Sequence, residues 1–367
     1  MKILWITNIP SPYRVNFFHL LGQKCDLDVV FECKYSKERD DSWKKFKIQG
    51  YNAFFLKGIQ YKTDMAFSLQ IFHFLKKQYD VIVITDYSSL TGMMAIAYLR
   101  QKNIPFVIEG DGAYAGKGKG IKELIKKSLI RSAKYWFATS EEHKKYYKFY
   151  GAISSNIIEY PFTSLYKKDI LSRPKSLDEK LKLRQKKGIT EKYIILSVGQ
   201  FIYRKGYDIL LQAARSFDNE IGIYIIGGKA SDKYLDFIKK NDLEHIYFLD
   251  YMKPEELKIY FQLADVFVLP TREDIWGLVI NEAMSNGLPV ITTNACIAGT
   301  KLINSSCGRI VERESIDELE GAIKEVIKDE EWKRQASEEC LKIINNYTLE
   351  KMVETHIDAF KKIIQEQ

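Results

Sequence analysis

Short runs of Val, Ile, Leu and Phe, nearly unbroken by polar positions, recur through the first half of the chain. They fall at 2–7, 27–32, 53–56, 80–85, 105–109, 135–139 and 156–160. Continuous apolar runs of this length mark strands covered on both faces, as in a parallel sheet. Helical spacing separates most of them, at 13–23, 65–78, 90–102, 121–132 and 141–149. The alternation predicts a doubly wound α/β sheet. It breaks at 166–191, where Ser172-Arg173-Pro174 and the charged run from Asp178 to Lys187 present no buried face. That stretch reads as a linker that can hold a short helix. A second series follows, with strands at 193–198, 222–227, 246–248, 266–269, 289–292 and 309–311. Its helices are expected at 206–216, 232–240, 254–263, 277–286, 315–328 and 330–344, and 348–365 is one more amphipathic helix. The expected organisation is a domain over 1–165, a linker over 166–191, a second domain over 192–347 and a terminal helix over 348–367. Ligands of such sheets bind at the carboxyl ends of the strands, so a site in a cleft between the two domains follows.

Composition narrows the class. A chain of 367 residues with 46% hydrophobic and 28% charged side chains is globular and long enough for two domains. No window approaches 18 consecutive apolar residues, and the run Ile3–Thr7, cut by Asn8 and Pro10, is a first strand and not a signal-peptide core. Five cysteines without a C-x-x-C pair, and five scattered histidines, argue against a disulfide framework or a zinc site and for a reducing cytosol. Charge is uneven: residues 1–165 hold 25 basic and 15 acidic side chains, an excess of +10 where the whole chain carries +8. Such asymmetry marks contact with a polyanion or an anionic membrane. No nucleic-acid recognition motif accompanies it.

Two glycine clusters mimic nucleotide loops. Gly110-Asp111-Gly112-Ala113-Tyr114-Ala115-Gly116-Lys117 has the wrong spacing for a P-loop, and no Ser or Thr follows Lys117. It reads as a mobile loop at the mouth of the cleft. Gly227-Gly228-Lys229 allows close backbone approach and nothing more specific.

The segment Ala264–Met284 carries the chemistry. A strand ends at Pro270, an acidic loop follows, and a helix begins near Gly277. Free N–H groups and the positive dipole end at that helix start suit a phosphate. Asp274 before the helix and Glu282 in its first turns can accept hydrogen bonds from sugar hydroxyls. Together these features describe a site for a sugar diphosphate.

This stretch resembles the E-x7-E motif of retaining glycosyltransferase family 4, whose fold is GT-B, with two Rossmann-like domains facing a cleft. The resemblance implies that Asp274, at the first acid position, holds the donor sugar, with Glu273 beside it. It implies that the backbone of Ile275, Trp276, Gly277 and Leu278 touches sugar and phosphate, and that Glu282 holds the ribose. Ser197-Val198-Gly199-Gln200-Phe201-Ile202-Tyr203-Arg204-Lys205-Gly206 is similar to the family's G-R-L-x-x-x-K-G turn. There Lys205 would pair with the diphosphate, Gln200 stands where the family has Arg, and Arg204 supplies charge. Tyr251 and Met252, after another strand, fit the base-contacting loop, and Asp111 stands where relatives carry a His near the donor sugar.

The reading is a retaining hexosyltransferase using a nucleotide sugar, with a UDP-sugar favoured and GDP-mannose as the other donor, acting on a lipid-linked glycan for a cell-surface polysaccharide. No metal is implied. The rivals are a nucleotide-sugar epimerase or hydrolase of the same fold, and a non-catalytic sugar-nucleotide or glycan-binding subunit. Finally, Ile121, Leu124, Ile125, Ser128 and Leu129 share one helical face, ringed by Lys122, Lys126, Lys127, Arg131 and Lys134 and preceded by Lys117 and Lys119. A basic amphipathic helix of this kind can lie in a lipid interface; the alternative is an ordinary domain helix with its apolar stripe on the sheet and its lysines in water. The expected location is the cytoplasmic face of the plasma membrane, held to an anionic surface.

Overall fold

A computed structural model describes residues 1–35, 47–116, 118 and 120–367. Lys117 and Lys119, expected to precede the basic helix, lie outside the described residues. The chain divides into two compact units, one formed by Met1–Ser164 with Thr348–Gln367, the other by Leu165–Tyr347.

In the N-terminal unit the strands are β1 (Lys2–Thr7), β2 (Asp26–Phe31), β3 (Asn52–Phe55), the two-residue β4 (Ile59–Gln60) and β5 (Ala66–Phe67), β6 (Val81–Ile84), β7 (Val107–Glu109), β8 (Tyr135–Ala138) and β9 (Ile157–Glu159). The main sheet runs β3-β2-β1-β6-β7-β8-β9, with every described pairing parallel. The residues of β1 after Lys2, of β2 after Asp26, and all of β6 and β8 are buried, which accounts for their unbroken apolar sequence. The terminal helix Leu349–Gln365 completes this unit. His356 and Phe360 on its inner face meet Trp5, and His356 meets Phe17 and Phe137.

The second unit holds β10 (Tyr193–Val198), β11 (Ile221–Ile226), β12 (Ile246–Leu249), β13 (Val266–Leu269), β14 (Val290–Thr293) and β15 (Gly308–Val311). They are ordered β12-β11-β10-β13-β14-β15, all parallel. Strand order reverses between β10 and β13, so the carboxyl ends of these two neighbours form the topological switch point.

Two expectations need correction. The helix expected over 65–78 is only Ile71–Leu75, because the chain first forms the β4–β5 hairpin. Thr91 hydroxyl donates to Ala66 O (2.6 Å) and accepts from Ser68 N–H (3.0 Å), satisfying backbone groups that a helix would have paired internally. The linker 166–191 belongs to the second unit and contains the helix Leu177–Lys187, started by a Ser176–Glu179 capping box. Its Arg184 is buried, donating to Leu263 O (2.9 and 2.8 Å) and Asp265 (2.8 Å). A charged run reads as solvated until its buried counterion, 81 residues away, is known.

Candidate functional site

The cation turn and the acidic loop, 69 residues apart in sequence, meet at the switch point of the second unit. After β10 a single 3-10 turn, Tyr203–Lys205, carries both cations, and Gly206 closes it in the left-handed region at φ +69°. A Cβ there would lie 2.0 Å from Pro270 O, so only glycine lets the turn approach the end of β13. Lys205 Nζ lies 2.6 Å from Asp274 Oδ2, and Arg204 Nη1 lies 3.2 Å from Asp274 Oδ1. Asp274 is buried, and its backbone N–H donates to Ala295 O (2.8 Å). Glu273 is exposed, and its carbonyl accepts from Arg204 (2.7 Å) and from the Thr271 hydroxyl (3.1 Å).

Residues that the sequence reading did not single out stitch the two loops together. Arg272 N–H donates to Arg204 O (2.8 Å), Thr271 hydroxyl donates to the same carbonyl (2.8 Å), and Arg272 Nη1 donates to Tyr203 O (2.8 Å). The Arg272 guanidinium forks onto Asp208 (2.9 and 2.8 Å), also bonds Glu314 (2.9 Å), and lies over the Tyr203 ring at 3.9 Å. Arg272 holds the Asp208 carboxyl below its ordinary pKa. This bidentate geometry fixes the spacing between the cations and Asp274. Asp208 and Arg272 lie 64 residues apart, and nothing in the sequence announced the pair.

Gly277 follows, at φ +97°, where a Cβ would come within 2.8 Å of Cys296 Sγ, and it starts the helix Leu278–Ser285. Trp276 is buried with its indole N–H on Asn281 (2.9 Å), while Ile275 is exposed and Leu278 half-buried. Glu282 lies on that helix, and burial pushes its carboxyl up to about 7. Gly199 N–H donates to Ile226 O (2.9 Å) and its carbonyl accepts from Tyr207 (2.9 Å). Gln200 and Tyr251 are exposed and Met252 is half-buried, after β10 and β12 respectively. Every site residue expected in 192–347 therefore stands at the carboxyl side of this sheet.

The raised Glu282 carboxyl makes a prediction that needs no ligand. A carboxyl whose folded pKa exceeds its unfolded value of about 4.3 costs stability progressively as pH rises from there through about 7. Glu282→Gln should therefore stabilise the free protein at pH 8 and change it little at pH 5. Thermal melts at both pH values check this. A gain of equal size at both would mean that the carboxyl titrates normally.

In the N-terminal unit, Asp111 has two partners. Tyr13 hydroxyl donates to Asp111 Oδ2 (2.6 Å), and Arg14 pairs with Asp111 Oδ1 and with Glu109 Oε1 (2.7 Å). Arg14 and Glu109 are fully buried. Burial alone would raise the Glu109 carboxyl, but Arg14, with His356 at 3.7 Å, holds it down at about 2.

The basic helix spans Ile121–Ile130. Its expected apolar face splits. Ile130 is buried and Leu129 packs on the core, while Ile121, Leu124 and Ile125 are exposed, Ile121 at 77%. Lys126 is tied to Glu123 (3.3 Å) and Tyr150 (3.4 Å), and Lys134 bonds Glu366 O (3.3 Å). Lys122, Lys127 and Arg131 stay exposed. Among the described residues no helix is long and apolar enough to cross a membrane.

Comparison with known proteins bears on this geometry. Residues 179–346 match the family model described as glycosyl transferases group 1. An uncharacterised glycosyltransferase of Methanocaldococcus jannaschii is 31% identical over 159 residues, 43% of this chain and 45% of that protein. The O-antigen biosynthesis glycosyltransferase WclY of Escherichia coli is 28% identical over 159 residues, 42% of each. The chain spans about half the length of the curated relatives it matches. The solved structure of Anabaena HepE in complex with UDP shares the fold, with TM-score 0.79 and 14% identity over 99% of this chain and 100% of that one. The fold class is the expected GT-B.

Proposed function

We propose that the protein, whose residues 179–346 match the family model described as glycosyl transferases group 1, is a glycosyltransferase of polysaccharide synthesis. It moves a hexosyl group, with retention, from a nucleotide sugar to a lipid-linked glycan. The observation that carries the reading is the convergence of Lys205, Arg204 and Asp274 beside the start of the helix Leu278–Ser285. A diphosphate bound there meets two cations and free helix amides, which neutralise charge as the bond from the sugar C1 to the phosphate oxygen breaks. The acceptor hydroxyl adds to C1 on the same face, and its proton passes to the departing phosphate oxygen. We assign charge neutralisation to these cations and amides, without a metal. Glu282 accepts the ribose hydroxyls once ionised. UDP is the favoured nucleotide, in line with the UDP bound by HepE.

A panel of nucleotide sugars, scored first by thermal stabilisation and then by product formation, tests the reading. A UDP-hexose should stabilise the protein, and transfer should require an acceptor. Donor turnover at full rate without acceptor would instead favour the epimerase or hydrolase, and binding without turnover would favour the non-catalytic subunit. UDP affinity should also rise between pH 6 and pH 8 and lose that dependence in Glu282→Gln.

The location we propose is the cytoplasmic face of an anionic membrane, reached through the helix Ile121–Ile130. Ile121, Leu124 and Ile125 face solvent and not the sheet, with Lys122, Lys127 and Arg131 beside them. Each such cation near an anionic surface contributes roughly 1 kcal/mol. Sedimentation with vesicles should need anionic lipid, fall with salt, and weaken in Lys122→Glu/Lys127→Glu. Equal binding to neutral and anionic vesicles, or none to either, would remove the membrane from the proposal.

A further inference from the structure

The amino edge of the second unit's sheet carries a cavity that the proposed transfer does not use. Strands β10, β11 and β12 are parallel neighbours, so the segments entering them lie together at one edge. Lys205 and Asp274 stand at the other. The entering segments are 190–192, 218–220 and 244–245, and with Tyr247 they line a cavity of about 560 Å³.

His245 is 4% exposed, and neither of its ring nitrogens has a hydrogen-bond partner. Its backbone is held in place, since its carbonyl accepts from Ile223 N–H (2.8 Å). Burial keeps the imidazole below its ordinary pKa, against the Ala214 carbonyl, Asp218 and Glu191, which act to raise it. The ring is therefore neutral and carries a bare acceptor nitrogen. Asp218 and Glu191, the carboxylates that act on the ring, also line the cavity, which sets the imidazole against it. A buried polar group left without a partner is the exception in a folded chain.

The surrounding charge is negative. Glu191, Asp218, Glu220 and Glu244 line the cavity against one lysine, Lys192. Lys192 lies 3.8 Å from Glu220, and Lys328 reaches Asp218 (3.0 Å). Glu191 accepts from the hydroxyls of Tyr224 (3.1 Å) and Tyr247, which leave its charge in place, and Glu244 is exposed. Negative charge is therefore in excess after both lysines are counted. Among the described residues no three His, Cys, Asp or Glu side chains are grouped to hold a metal ion, so these acids do not close on a point charge. A groove of about 580 Å³ adjoins the cavity and shares Thr190, Glu191 and Lys192 with it. Leu177 and Leu181, 54% and 48% exposed, line that groove. Its other charged residues are Arg184, committed to Asp265 (2.8 Å), and Glu330, 2.8 Å from Lys333.

An apolar strip that adjoins carboxylates and a neutral acceptor matches a chain of methylenes bearing ammonium groups. We propose that this edge binds an aliphatic polyamine. One ammonium donates to His245 and pairs with Glu191 and Glu244, the methylenes lie on Leu177 and Leu181, and a second ammonium meets Glu330. The site stands apart from the transferase reading and does not depend on it.

Equilibrium dialysis of the full chain against labelled spermidine should find one saturable site. Glu244→Gln should weaken it about tenfold, the usual scale for a hydrogen bond to a charged group, and Leu181→Ser by a smaller factor. Both changes fall on exposed side chains, so the fold should hold, as a thermal melt checks. Butylamine, with one ammonium, should bind more weakly than spermidine. In nitrogen NMR the His245 imidazole should shift on titration with spermidine while the other histidines stay still. Thermal stabilisation by UDP should match wild type in both variants, and a failure of UDP to bind would count against the transferase reading alone. No saturable spermidine binding, or equal binding by wild type and both variants, overturns the polyamine site. Binding of a trilysine peptide without binding of spermidine overturns it too, and gives the edge to a basic protein segment.

Discussion

Lys205→Ala should lower kcat about 10²–10³-fold, the usual cost of removing one preorganised donor from a developing charge. Lys205 is nearly buried and lies 2.6 Å from Asp274 Oδ2 on a turn fixed by Thr271 and Arg272, so it needs little reorganisation as the diphosphate departs. In the proposed transfer its interaction strengthens as negative charge accumulates on the leaving oxygen. The loss should therefore fall mainly on kcat, with a smaller rise in KM for the donor. The fold should survive, because Arg204 still pairs with Asp274 and the turn keeps its backbone bonds. Steady-state kinetics on the identified donor, with a thermal melt beside them, check both halves. Near-wild-type transfer by a folded Lys205→Ala protein would sink the assignment.

The same pair of loops divides the two neighbouring acids. Asp274 has a cation on each carboxylate oxygen, whereas Glu273 points its carboxylate to solvent. Asp274→Asn should therefore disturb the cations as well as the sugar, costing more than Glu273→Gln. If Glu273→Gln proves the more damaging change, the acid motif is displaced by one residue from its assignment.

Much of this was legible in the sequence, for a physical reason. Parallel strands covered on both faces must be apolar throughout, so β1, β6, β10 and β13 announce themselves. The site segments were equally visible, since a cation turn and an acid–glycine loop each follow such a strand. Hidden were the features decided by partners far along the chain. Arg184 looked solvated until Asp265 received it, and Arg272 gave no sign of Asp208. The helix expected over 65–78 failed for the same reason, because Thr91 supplies the hydrogen bonds that favour a hairpin there. In Ile121–Ile130 the spacing gave a single apolar stripe, and only burial separates Leu129 from the exposed Ile121, Leu124 and Ile125.

The largest stability effect should come from Arg14→Met. Arg14 and Glu109 are buried, 2.7 Å apart, and Glu109 Oε2 has no hydrogen-bond partner. Removing the guanidinium leaves the carboxylate uncompensated, which typically costs about 3–5 kcal/mol. The sign with pH follows from the lowered Glu109 carboxyl. Its folded pKa of about 2 lies below the unfolded value of about 4.3. The stabilisation it gives is therefore present above pH 4.3 or so and lost as pH falls toward 2. Without Arg14, the burial that disfavours the charged carboxylate is opposed by His356 without the guanidinium, and the folded carboxyl rises. The penalty should then be full at pH 7 and shrink by pH 5, as the buried group takes up a proton. Arg14→Met/Glu109→Gln should recover part of the loss at pH 7, since no charge is then stranded. Urea unfolding of the three proteins at both pH values measures this. A loss below about 1 kcal/mol, equal at the two pH values, would mean that water reaches the pair.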